Sequence, residues 1–301
     1  MLKTTMSQHN MDQLSFFEAQ YNVKKGKARR EKLLERMGSL LPWKQMENKV
    51  RRHYAKPRNG RKPYPLSVML RIHCMQLFYN LSDPAMEDAL YEIESMRRFT
   101  GLRINHPILD ETTILKFRHL LEKHDLGKVL FNSINKSLDK EGVSLKEGTI
   151  VDATIISAPT STKNKSGKRD PEMNQTKKGN QWYFGMRMHI GVDDASDSIH
   201  SIDTTAANKH DITSADKLLH GDEARDIDWF IAKRPGKLKT LSKQNPERQI
   251  EKIKAQVRAK VEYPFLWIKK IFGCSKVRYR GLGKNQNRLY LLAGLYSLIR
   301  K

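Results

Sequence analysis

Residues 148–159 read GTIVDATIISAP. The β-branched residues from Thr149 to Ile156, opened by Gly148 and closed by Pro159, predict a buried strand. Asp152 stands in the middle of it. A carboxylate among so many apolar neighbours is costly to bury unless it is paired or holds a metal ion. The plain alternative is that Asp152 points to the solvated face of a half-buried strand. The stretch also marks a change of period, because the sequence before it is patterned as helix.

Upstream, EKLLERMGSLL and WKQMENKVRRHY have helical spacing, and RNGRKPYP interrupts them with Gly and two Pro. SVMLRIHCMQLFYNL is apolar around most of its circumference, as expected of a central helix. SDPAMEDALYEIESMRRFTGL reads as one helix, with Asp83 as its cap, Pro84 in the first turn, acids early, arginines late and Gly101 at its end. ETTILKFRHLLEKH and KVLFNSINKSLDKEG add two more. Residues 31–142 are therefore expected to form an α-helical domain. A polar arm over residues 1–30, ending in the basic cluster KKGKARR, precedes it.

Downstream, residues 159–181 read as a long loop carrying Lys163, Lys165, Lys168, Arg169, Lys177 and Lys178. With no apolar periodicity, this loop is expected to be disordered until it meets a polyanion; a merely solvated hairpin tip is the bland reading of such a charge run. WYFGMRMHIGVD and IHSIDTTAA predict two strands joined by DASDS. HDITSADKLLH predicts a short helix, DWFIAKR a possible strand, and residues 246–271 a long basic helix. Strand, loop, strand, turn, strand, helix is the opening of a ribonuclease H-like α/β fold, expected over residues 146–301.

The chain has 301 residues and 38% hydrophobic composition, enough for a sizeable core and two domains. Its net charge of +23 exceeds what solubility requires and points to a polyanionic partner, with nucleic acid the simplest. No apolar run is long enough to span a bilayer, and the N-terminus has no signal-peptide core, so a cytoplasmic, membrane-free protein is expected. Cys74 and Cys274 form no disulfide framework and have no zinc-type spacing. Between Ile231 and Arg288 only Glu247, Glu251 and Glu262 interrupt a run of Lys and Arg. Arg258, Glu262 and Lys269 fall within about 40° of one another on a regular helix. Pro264 is expected to kink that helix just after Glu262. An ordinary surface pairing of Arg258 with Glu262 explains those two residues equally well.

The arrangement R-x3-E-x6-K, followed by FG and RYRGL, resembles the C-terminal signature of bacterial insertion-sequence transposases of the DDE superfamily, most closely the insertion-sequence-five family. GTIVDATII is similar to that family's first-aspartate strand. TKKGNQWYFGMRMHIGVD, TTAANKHDIT and RPGK are similar to the blocks that follow. YNLSDPAMEDALYEI and DETTILKFRHLLEKH are similar to its helical N-terminal domain, which in the family binds DNA. The resemblance runs from about Leu40 onward. It implies two divalent ions, Mg2+ or Mn2+, held by acids, with Asp152 and Glu262 as catalytic metal ligands. Arg258 and Lys269 would orient Glu262 and contact DNA phosphate. The implied partner is double-stranded DNA, at terminal inverted repeats and at a target site, in a self-associated assembly on the bacterial nucleoid. The implied activity is metal-dependent end cleavage and strand transfer.

One departure matters. The family's second aspartate stands in a short strand close to G-D-x-G-Y, after the HDIT helix and before DWFIAKRPG. Here only HGDEARDI separates Leu219 from Asp228, and no apolar strand fits. This suggests an in-frame loss around residues 224–226 that removes the fourth strand. Asp222, Asp226 and Asp228 are weak substitutes. The expectation is a transposase rendered defective. The alternative is an inactive DNA-binding relic that occupies the repeats or inhibits intact copies.

Overall fold

A computed structural model describes residues 23, 26–55, 62–102, 107–143, 148–163, 165–219, 230–231 and 245–300. Among these, seven helices come first: α1 Arg29–Leu40, α2 Trp43–Arg51, α3 Leu66–Phe78, α4 Asp83–Glu92, α5 Glu94–Thr100, α6 Glu111–Lys123 and α7 Leu126–Lys140. Strands β1 Thr149–Ser157, β2 Asn174–Lys178, β3 Gln181–Asp193 and β4 Ile199–Ala206 follow, then a 3-10 turn over Asp211–Leu218. Last come α8 Pro246–Ala259, α9 Glu262–Leu266 continuing as a π turn Trp267–Ile271, and α10 Leu282–Arg300. Of the arm expected over residues 1–30, only 23 and 26–30 are described; Arg29 and Arg30 belong to α1, and Lys27 pairs with Glu35.

The apolar run expected to be a central helix is α3, where Val68 to Phe78 are buried apart from Arg71. The helix expected over 83–100 is two helices, broken at Ile93, whose backbone is extended at φ −110° and ψ 101°. Its cap is Ser82, not Asp83: the Ser82 hydroxyl accepts the Ala85 N–H. Asp83 instead turns inward and accepts from Gln76 and from Arg118, at 2.7 and 2.9 Å. Gly101 ends α5 at φ +81°, in the left-handed region where glycine is unstrained.

The sheet is antiparallel. β1 and β4 lie on β3, with Asp152 opposite Ile190 and Ile190 opposite Ile202. β2 forms a hairpin with the start of β3, turning at Gly179–Asn180. The segment expected to be a loop over 159–181 is therefore strand from Asn174 to Lys178. It is also tied down: the carboxylates of Asp170 and Glu172 accept the backbone N–H groups of Gly281 and Leu282. These two acids satisfy donors at the start of α10 that the helix itself cannot, a role the surrounding run of lysines concealed.

NRLYLLAGLYSLIR is most of α10 and a deeply buried helix; every residue from Asn287 to Leu298 is buried. It packs against α7, β4, α3 and α6 together, so one continuous apolar core joins the helices to the sheet. Each Leu buried there contributes roughly 1.5–3 kcal/mol. Both cysteines are free and buried, and burial pushes the Cys74 thiol up to about 12. No helix among the described residues is long and apolar enough to cross a membrane.

Candidate functional site

Asp152 is buried, with 6% of its surface exposed, although it lies mid-strand between apolar residues. Its charge is paired by Arg258, which reaches across from α8. Nη2 donates to Oδ1 at 2.8 Å and Nε donates to Oδ2 at 3.1 Å. Oδ1 also accepts the Ala153 N–H at 2.8 Å. This two-pronged, charge-assisted pairing is the geometry that suits a guanidinium to a carboxylate. The contact holds the Arg258 guanidinium above its ordinary range.

The long basic helix expected over 246–271 is not continuous. α8 stops at Ala259, the chain turns at Lys260–Val261, and α9 restarts at Glu262. The break falls before Glu262 and not after it, because Pro264 sits in the first turn of the new helix, where its missing N–H costs nothing. Glu262 is exposed at that start, and Lys269 is half-buried in the π turn. The three residues still act on one another. Glu262 lies within electrostatic reach of both Arg258 and Lys269. The Lys269 amine is lowered first by burial, then by Lys178 on β2, against the pull of Glu262. A line of charge thus runs from buried Asp152 through Arg258, Glu262 and Lys269 to the tip of the β2–β3 hairpin.

Lys163, Lys165, Lys168, Lys177 and Lys178 are exposed. Lys177 lies over the exposed Trp182 ring at 6.0 Å, pairing a cation with an aromatic face on the same hairpin. Arg169 is exposed too, but its Nε donates to the Thr160 carbonyl and its guanidinium lies over Phe184. Asp222, Asp226 and Asp228 lie outside the described residues. Phe230 and Ile231, from the possible strand DWFIAKR, are exposed and in no regular element.

Two groups lie in stretches the resemblance singled out without giving them a role. Asp211 opens the 3-10 turn, pairs with Arg187 of β3 and lies within electrostatic reach of Arg258. Its place after His210 in TTAANKHDIT is the one hint of it. The RYRGL segment is a joint between the helices and the sheet. Arg278 donates to the carbonyls of Asn80 and Leu81, Tyr279 lies under the Arg118 guanidinium, and Asn285 clasps the backbone on either side.

The transposase DDE domain family matches residues 144–234 and 222–298, and a transposase domain (DUF772) matches residues 21–120. The chain belongs to the DDE transposase family. A helical N-terminal region followed by a small antiparallel sheet with helices is compatible with that membership. Divalent-metal dependence and DNA as substrate are what the family implies. No solved structure matches the chain.

Carboxylate oxygen is the right chemistry for a hard divalent cation. Yet among the described residues no three His, Cys, Asp or Glu side chains converge as metal ligands, and both oxygens of Asp152 are engaged by Arg258. As arranged here, these residues do not fit a bound divalent ion.

Proposed function

We propose that this chain is an insertion-sequence-five-type transposase that binds duplex DNA at terminal inverted repeats but does not cleave it. The observation that carries this reading is that, among the described residues, β1 has a strand along one edge only. β3 covers one edge of the Asp152 strand. On the other, among the described residues, only Ser275–Val277 pair with it, and only at Ser157. In a ribonuclease H-like sheet a parallel strand bearing the second aspartate belongs at that edge. An internal loss around residues 224–226 would remove it.

Two further features support a missing segment. The DDE-domain match comes as two stretches that meet at residues 222–234. On α8, Ile250, Ile253 and Val257 form an apolar stripe at helical spacing that faces solvent, while Glu251 faces inward. An outward apolar stripe on a surface helix is a face that another element or a partner would cover, which is what a lost neighbour would leave.

DNA binding is supported by the +23 charge and by the exposed lysines of the β2–β3 hairpin and its preceding loop. In this reading Asp152 and Glu262 are remnants of an Mg2+ or Mn2+ centre, and Asp222, Asp226 and Asp228 do not replace the lost ligand. Such a protein would occupy its repeats, self-associate with intact copies and inhibit them. The test is to incubate the full chain with Mg2+ or Mn2+ and labelled DNA carrying the element's ends. Binding without nicking above an Asp152→Ala control is expected. Cleavage abolished by changing Asp222, Asp226 or Asp228 would overturn the reading. Inserting a G-D-x-G-Y strand between Ala224 and Arg225 is expected to restore nicking.

A further inference from the structure

Trp182 contributes little to the core, although it is one of the largest apolar side chains of the sheet. Its indole is 65% exposed at the start of β3. It stands opposite Lys177 in the β2–β3 hairpin, and the Lys177 amine lies over its ring at 6.0 Å. Asn174, Gln175, Lys178 and Gln181 of the same hairpin are exposed and polar. Trp182 therefore belongs to no continuous apolar patch of the kind a protein partner covers. Two residues further along the same face, Phe184 carries the Arg169 guanidinium over its ring at 5.4 Å but is itself buried. A cation on an aromatic ring thus occurs twice on this face, and the ring at Trp182 is the exposed one. The hairpin that presents it is tightly built. Its two-residue turn has Gly179 at φ +61°, the residue type that such turns favour. The segment before β2 is held to α10 by Asp170 and Glu172.

We propose that Trp182 is a stacking platform for an unpaired DNA base, with Lys177 and Lys178 taking the phosphates beside it. The proposal rests on the reading of this chain as a DNA-binding protein. A paired base hides its faces within the duplex stack, so an indole gains little from a fully paired stretch. An unpaired base offers a π-face whatever its identity, and an aromatic ring beside basic side chains is the arrangement that holds it. The charge around the hairpin tip fits a nucleotide. Lys178, Lys269 and Lys270 act on one another there, opposed by Glu262. A phosphate would relieve that excess of positive charge. The platform would select DNA for a lack of pairing and not for its sequence. Because the hairpin is already ordered by its turn and its ties to α10, little conformational freedom is lost when a base stacks.

The test measures binding of the full-length protein to two labelled DNAs of equal length at one salt concentration, by fluorescence anisotropy. One is a fully paired duplex; the other carries three adjacent mismatches. Their phosphate charge is the same, so the ratio of the two affinities reports the unpaired bases. The parent is expected to bind the mismatched DNA roughly 5- to 150-fold tighter, the range that base–aromatic stacking supplies. Trp182→Ala should bring the ratio close to one, and Trp182→Phe should keep part of it. Trp182→Leu, apolar but without a π-face, should behave as alanine does and decides the matter if the alanine variant does not fold; circular dichroism confirms folding. Trp182→Ala should leave the salt dependence of binding parallel to the parent's, whereas Lys177→Ala should lower its slope by about 0.9 for a phosphate no longer neutralised. The same ratio in the parent and in Trp182→Ala or Trp182→Leu would refute the platform and leave DNA binding intact. Failure of the parent to bind either DNA would overturn the DNA-binding reading and the platform with it. A parent that self-associates without DNA, and loses that association in Trp182→Ala, would assign the indole to a second copy of the chain and refute the proposal.

Discussion

Asp152→Asn and Arg258→Met remove the same ion pair, yet their effects on stability are expected to differ several-fold. Asp152 is 6% exposed, whereas the Arg258 side chain is 57% exposed. Taking away the arginine leaves an ionised carboxylate in the sheet with one remaining donor, the Ala153 N–H. Breaking a pair so as to strand a buried charge costs about 3–5 kcal/mol. Asparagine keeps the shape of Asp152 and an oxygen for the Ala153 N–H, and it frees Arg258 to turn to water. That loss is of the order measured for exposed ion pairs, at most about 1 kcal/mol. Each kcal/mol shifts the melting temperature of a chain this size by roughly 2–3 °C. Arg258→Met should therefore melt about 6–15 °C below the parent, and Asp152→Asn within about 3 °C of it. Thermal and urea denaturation followed by circular dichroism, without added metal, read both. If Asp152→Asn is as costly as Arg258→Met, the carboxylate is not the desolvated partner, and the reasoning about this site fails.

The approach of α7 to α10 allows a second test. A Cβ on Gly127 would lie 2.3 Å from the Asn287 Oδ1 that now accepts the Gly127 N–H, and 2.5 Å from the Asn287 carbonyl. Gly127→Ala should cost about 2–4 kcal/mol through overpacking and a damaged buried hydrogen bond. At Gly283 nothing lies within 4 Å of the added atom, so alanine there should be neutral or stabilise by up to about 1 kcal/mol; similar melting curves for the two would contradict the packing described. His73 supplies a pH dependence. Burial lowers it from 6.5 to about 4, so the unfolded chain binds a proton there that the folded chain does not. Stability should fall as pH drops from 6.5 towards 4, by up to about 3 kcal/mol, and His73→Phe should flatten that part of the profile. Changing Lys177, Lys178 and Lys269 together to Ala should reduce the slope of log affinity for duplex DNA against log salt by about 0.9 for each phosphate no longer neutralised. A parallel salt dependence would exclude that face from the DNA interface.

Much of the fold is written locally. α3 follows from an apolar circumference, and β1 from β-branched residues between Gly148 and Pro159. Both depend on side chains a few positions apart, which the sequence displays directly. The same locality marked Asp152 as an acid with an unusual environment. What it could not supply was the partner, since Arg258 lies 106 positions away and shares no local pattern with it. Spacing placed Arg258 beside Glu262 on one helical face, and only the fold brings the guanidinium of the partly exposed arginine onto buried Asp152 while the glutamate stays exposed at the start of the next helix. The hairpin and its preceding loop read as unstructured charge because their anchors, Gly281 and Leu282, sit more than a hundred residues on. α10 shows no polar face because it is covered on all sides by α7, β4, α3 and α6, and burial from every side comes from packing that no window of sequence contains. Neighbouring residues thus suffice to say which segments are helix or strand, and that one acid is out of place. Which charge answers that acid is settled only when the chain is folded, because an ion pair across a fold depends on where two distant backbones meet.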